Sequence, residues 1–214
     1  MASAKAALEC DTRVLAFDWV QFSTGVRAAA SAIIKLARES GVFTVVDATQ
    51  GLGGLAWRGT LPDVLVCSGH KWLLSFVGTG FMYIAPEARE RISPPFAGWV
   101  AFLEKDDFLS LTDYKFEPPA DGRRFEVGSA ILDHLAAFAA SAESLADVGL
   151  ENIETYLHEL EAPLLAWLRE RGCDVAGTRD TKRRSAIVSF AASDGRDLSA
   201  ACRALLKEGV VCAM

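Results

Sequence analysis

The sequence predicts an α/β fold, and three observations carry that expectation. Short β-branched apolar runs recur in the first half: "VFTVVDA" (Val42 to Ala48), "DVLVCS" (Asp63 to Ser68) and "GTGFMYIA" (Gly78 to Ala85). A helical pattern precedes the first of them, with Val26, Ala30, Ile33, Ile34 and Ala37 on one face. The strands are near-continuously apolar, which suits a parallel sheet covered on both faces.

Each element follows in order. "TRVLAFDWV" (Thr12 to Val20) reads as a strand and "QFSTG" as the loop after it. Ser23 or Thr24 can cap the start of the helix, and Gly41 its end. The three runs named above supply three further strands. Pro94, Pro95, Pro118 and Pro119 bracket a poorly periodic stretch, expected to run over the surface. Long helical patterns follow from Ile131 to Val148 and from Ile153 to Arg171, the second tolerating Pro163 only with a kink or break. The tail reads strand, strand, helix, strand: "CDVAG", "SAIVSFA", "LSAACRALLKEG" and "VVCAM". Two parts are expected: a larger α/β unit over 1–130, and a linking helix with a smaller α/β unit over 131–214.

Composition narrows the function. Of 214 residues, 51% are apolar, enough for a substantial core. A net charge of −6 argues against nucleic acid as a partner. "TRDTKRRS" (Thr178 to Ser185) reads as a solvated loop rather than a basic binding face. No apolar run reaches the roughly 18 residues that span a bilayer, so no membrane partner is expected. The five cysteines (Cys10, Cys67, Cys173, Cys202, Cys212) are scattered, and none is spaced for zinc or redox pairing. A reduced, cytoplasmic protein without a metal is the expectation.

The chemistry concentrates at strand ends. In open α/β sheets, ligands sit outside the carboxyl ends of the strands. "VFTVVD" ends in Asp47, with Gln50 just beyond; "DVLVCS" ends in Ser68, with His70 and Lys71 next. Singly, these are a turn former, a surface histidine and a solvated amine. Together they are a carboxylate, an amide, a hydroxyl, an imidazole and an amine on one edge, a set that fits pyridoxal 5′-phosphate. The lysine would form a Schiff base with the aldehyde, and the carboxylate would keep the pyridine nitrogen protonated. Ser68 and His70 would donate to the phosphate, and Gln50 to the phenolic oxygen. The rival reading is dinucleotide binding, since "GLGGLA" (Gly51 to Ala56) matches G-x-G-x-x-A. Its context fails: "ATQ" separates it from the strand, and Gly59 and Pro62 forbid a long helix after it.

"VVDATQGLGG", "DVLVCSGHKWLLSFVGTGFMYIAPE" and "GRRFEVGSAI" resemble the class V aminotransferases, a fold-type I group that includes cysteine desulfurases and related epimerases and lyases. The resemblance runs along almost the whole chain. It implies a partial three-layer α/β/α large domain and a partial small domain, with Lys71 as the Schiff-base lysine. It also implies Asp47 as the pyridinium partner, Gln50 on the phenolic oxygen, and Ser68 and His70 on the phosphate. Ser129, in "RRFEVGS", would reach the phosphate of the neighbouring subunit of a homodimer, and Gln21 falls where the family often presents a polar residue to substrate. Family members are about twice as long, so the resemblance implies a fragment without the N-terminal half of the large domain or the extreme C-terminus. Two functions stay open: an enzyme acting on amino-acid amino groups, and a non-catalytic remnant with an incomplete site.

Overall fold

In a computed structural model, which describes residues 8, 11–96, 98 and 118–213, the early apolar runs form one four-stranded sheet. β1 (Val14–Asp18), β2 (Phe43–Asp47), β3 (Val64–Ser68) and β4 (Gly80–Ile84) lie side by side in that order. β1, β2 and β3 are parallel; β4 runs antiparallel to β3. The reversal follows from the connection. Only residues 69–79 join β3 to β4, whereas a parallel crossover needs a dozen or more residues, usually with a helix.

Helix α1 (Ala30–Glu39) supplies the crossover between β1 and β2. It begins later than its apolar pattern, and neither Ser23 nor Thr24 caps it. The preceding residues are committed elsewhere. Val26 bridges Arg184, and Arg27 N donates to the Arg183 carbonyl at 2.8 Å. The chain stops the helix at Ser40 and turns through Gly41 at φ +69°, where a residue without Cβ costs least. Ile34, Val46, Leu55, Leu65 and Trp19 form the buried core, at 0–4% exposure, so α1, the sheet and the loop after β2 share one packing unit.

A short helix α2 (Pro86–Arg89) follows β4, and residues 97 and 99–117 of the proline-bracketed stretch lie outside the described residues. α3 (Leu132–Val148) and α4 (Leu150–Glu170) meet at Gly149, whose φ of +86° makes the corner. Of the kink or break expected at Pro163, the break is absent: α4 continues through it. Proline removes one hydrogen bond, and the helix is held on both sides of it. Before it, Glu154 takes Arg27 Nη1 at 2.6 Å, Arg58 Nη1 at 2.7 Å and the Ala56 N–H at 3.1 Å. Around it, Glu161 pairs with Arg184 and His158, and Leu165 and Leu168 are buried. Burial raises the Glu154 carboxyl, but the bonds from Arg27, Ala56 and Arg58 outweigh it and hold the group below its ordinary value.

The tail forms a two-stranded antiparallel sheet, β5 (Asp174–Val175) with β6 (Phe190–Ala191), and then helix α5 (Ser199–Lys207). Both strands are shorter than their patterns. Residues 210–213 form no strand, although "VVCAM" reads as one. A strand needs a partner ladder, and Val210 and Val211 stand exposed with none among the described residues. Among the described residues, no helix is long and apolar enough to cross a membrane.

Candidate functional site

The parallel run of β1, β2 and β3 brings their carboxyl ends to one edge. Asp18 pairs with Asp47 across β1 and β2, and Asp47 with Val66 across β2 and β3. Side chains alternate along a strand, so Ser68, two residues past Val66, shares the face of Asp47, and Cys67 takes the other. Asp47 is exposed; Ser68 and Gln50 are half-buried. The turn after Ser68 carries His70 and Lys71, both exposed. Lys71 Nζ sits 5.7 Å from the centroid of the Phe22 ring, in the loop after β1, within reach of a cation–π attraction.

Close backbone packing holds that turn. Gly69 N donates to the Thr79 carbonyl at 2.8 Å, and a Cβ on Gly69 would fall 2.2 Å from Thr79 Oγ1. Only glycine fits between Ser68 and His70. The turn closes as Ser75 N donates to the Gly69 carbonyl at 2.9 Å, with Leu74 at φ +53°, a strained conformation for a residue other than glycine. α3 lies against the same turn: Ser141 Oγ donates to the Leu73 carbonyl at 2.6 Å, and the Phe76 and His134 rings are 5.0 Å apart.

The "GLGG" glycines serve this packing. A Cβ on Gly53 would meet the Trp72 carbonyl oxygen at 2.3 Å, one on Gly54 the Trp72 ring at 2.6 Å, and one on Gly51 the Trp19 ring at 2.8 Å. Their bare backbone lets the loop after β2 press against the residue that follows Lys71. The match to a nucleotide fingerprint arises from protein contacts.

Three residues at this edge escaped the sequence reading. Thr49 N donates to Asp47 Oδ1 at 2.8 Å, and Thr49 Oγ1 accepts from Ser68 N at 3.0 Å. The Asp-x-Thr spacing was the available signal, since Asp binds the backbone two residues on in many turns. Asp18 ends β1 beside Asp47, and Phe22 underlies Lys71; neither has a local pattern that announces it. Gln21 is exposed, and its backbone closes the turn: its N–H donates to Val26 at 2.9 Å and its carbonyl accepts from Gly25 at 2.8 Å. Ser129 is exposed, beyond a 3-10 turn at Gly122–Phe125. Burial, and then the charge of Asp47, push the Cys67 thiol up to about 12, so it stays protonated near neutrality.

An open sheet with this polar set at its strand ends defines an α/β protein. The chain belongs to the aminotransferase class-V family, whose profile matches residues 1–213. It is 30% identical over 189 residues to a probable cysteine desulfurase of Mycobacterium leprae, covering 86% of this chain and 44% of that one. Among solved structures, the apo cysteine desulfurase of Thermococcus onnurineus superposes with a TM-score of 0.83 at 26% identity, over 98% of this chain and 51% of its own. A mutant of C-DES with glycine covalently linked to its PLP cofactor shares the fold, with a TM-score of 0.81 at 20% identity over 98% of this chain and 55% of that one. The chain thus spans about half the length of the relatives it matches.

Proposed function

We propose that this chain carries the lysine-bearing portion of a pyridoxal 5′-phosphate site that acts on the amino groups of amino acids. One observation carries the reading: Asp47 and Ser68 end adjacent parallel strands on the same face, with His70 and Lys71 on the turn that follows.

The donor set fits the group. Lys71 offers an exposed amine for covalent attachment, and Asp47 a carboxylate for a protonated ring nitrogen. Ser68 and His70 offer donors to a phosphate, and Gln50 an amide to the phenolic oxygen. When bound, such a cofactor supplies an electron sink for bonds broken at the amino acid's α-carbon. The site residues hold it, orient it and keep its ring nitrogen protonated. Cys67, with its raised thiol on the opposite face, does not supply the thiolate that desulfuration would need. The relatives with PLP or desulfurase names support the cofactor class without fixing the reaction. We further propose a cytoplasmic homodimer in which Ser129 reaches the neighbouring subunit's phosphate. Mixing Lys71→Ala with Ser129→Ala subunits tests this, because one site of each heterodimer would then carry both lesions and the other neither.

The test of the main reading is chemical. The protein is incubated with pyridoxal 5′-phosphate, reduced with borohydride and digested for mass analysis. A pyridoxyl label on Lys71 that Lys71→Ala abolishes is expected; labelling spread over other lysines in both proteins would sink the assignment. A second reading is favoured by the exposure of Asp47, His70 and Lys71: a non-catalytic member that keeps part of the site. A screen for amino-acid turnover with added cofactor separates the two, since rates near about 1 per second mark a complete enzyme site.

A further inference from the structure

We infer that Thr49 is a positioning residue for the cofactor edge, locking Ser68 and Asp47 into one rigid unit through its side-chain oxygen. This rests on the cofactor reading above.

The β2–β3 ladder ends in an unusual rung. Ala48 N donates to the Val66 carbonyl at 2.8 Å. The next β3 donor on that side, Ser68 N, is met by the Thr49 hydroxyl at 3.0 Å, not by a carbonyl. The same residue gives its own N–H to Asp47 Oδ1 at 2.8 Å. One half-buried side chain therefore joins the end of β3 to the turn that orients the Asp47 carboxylate. The two contacts have different sources. Any residue except proline could provide the N–H to Asp47. Only a side chain with a short acceptor can satisfy Ser68 N. Without it, that N–H loses its partner on the β2 side, and Ser68, still paired with Gly80 of β4, loses its tie to the Asp47 turn.

Small displacements matter here because a ligand held by a carboxylate and a hydroxyl at once needs both at a fixed separation. Thr49→Val keeps the shape, the β-branch and the N–H to Asp47, and removes only the acceptor. Thr49→Ser keeps the oxygen. The hydroxyl, rather than the bulk, is therefore the testable element.

The experiment measures pyridoxal 5′-phosphate affinity of the 214-residue chain by equilibrium dialysis, for wild type, Thr49→Val, Thr49→Ser, Ser68→Ala and the Thr49→Val/Ser68→Ala pair. Thr49→Val should bind about tenfold more weakly, the scale of one lost hydrogen bond with its donor stranded. Thr49→Ser should stay within about threefold of wild type. In the Ser68→Ala background, Thr49→Val should cost less than about threefold, because the residue it acts through is already gone. If Val does not fold, Thr49→Ala takes its place in the same comparison. Affinity in Thr49→Val equal to wild type overturns the inference alone. So does a loss that Ser fails to restore, or one that adds fully to Ser68→Ala, since either marks general damage. Absence of binding by the wild-type chain overturns the cofactor reading itself, and this inference with it.

Discussion

At the carboxyl edge of the β1–β4 sheet, glycines lie against tryptophans and Ile34, Val46 and Leu55 are almost fully buried. In the tail after Arg171, β5 and β6 pair over two residues each, and α5 buries none of its side chains. Leu205, Leu206, Val210 and Val211 stand exposed there. Both regions are patterned for α/β structure. They differ in neighbours: the sheet edge is covered by α1, by the loop after β2 and by α3, whereas the apolar side chains of α5 have no covering layer among the described residues. Periodicity states which face wants burial; a second layer is needed to bury it.

Matched substitutions can break this contrast. The largest effect is expected at Gly53. Gly53→Ala places a Cβ 2.3 Å from the Trp72 carbonyl oxygen at φ +107°, so backbone must move; a loss of at least about 3 kcal/mol is expected. Gly209→Ala has φ +79° and nothing within 4 Å, leaving only the conformational term of about 1 kcal/mol. Urea titrations giving equal losses would show that the sheet edge is no tighter than the tail. Next, Ile34→Ala removes a side chain with 0% exposure and should cost about 2–5 kcal/mol. Leu206→Ala, at 60% exposure, should stay within about 0.5 kcal/mol. Comparable shifts in melting temperature would mean that α5 is packed in solution.

Glu154 sharpens the comparison through charge. Glu154→Ala leaves half-buried Arg27 with only the Lys182 carbonyl to receive its guanidinium, and releases Arg58, whose side chain is 55% exposed. The exposed partner lowers the cost below that of a fully buried pair, to about 2–3 kcal/mol. The tail pair Arg196–Asp194 has side chains 72% and 52% exposed, and Asp194→Ala should leave the melting temperature unchanged. The pH dependence follows from the lowered Glu154 carboxyl. Its stabilisation is fully present above the ordinary value of 4.5 and is lost as pH falls through the folded value. The gap between wild type and Glu154→Gln should therefore narrow in denaturant titrations carried below that value. A gap that widens in acid would reverse the sign. The smallest effect is kinetic: iodoacetamide at about pH 8 should leave Cys67 unmodified in the native protein and label exposed Cys212, slowed by the Cys202 hydrogen bond that raises its thiol. Rapid native labelling of Cys67 would mean that the sheet opens at its carboxyl edge.

Much of the candidate site's placement was legible because its residues lie at or just after strand ends. "VVD" and "VCSGHK" put Asp47, Ser68, His70 and Lys71 at the termini of two apolar runs, and a parallel pairing brings such termini together. Thr49 was less legible: it looks like a turn residue until Ser68 N is found donating to its hydroxyl. Phe22 and Asp18 come from a different loop and strand, so only the pairing of β1 with β2 reveals them. "VVCAM" misled because it obeys a local rule that no neighbouring strand completes among the described residues.

The sequence by itself determined the α/β class, the positions of β1 to β4 and of the two long helices, and the placing of a carboxylate, a hydroxyl, an imidazole and an amine at or just after strand ends. Those depend on period and on chain order, which are local properties. Only the tertiary structure decided that β4 reverses direction, that α1 waits until Ala30, and that the "GLGG" glycines are spent on Trp19 and Trp72. It also decided which of several threonines and aromatics stand at the site. Each of these depends on a contact between residues distant in the chain, whose cost or gain exists only once the other partner is in place.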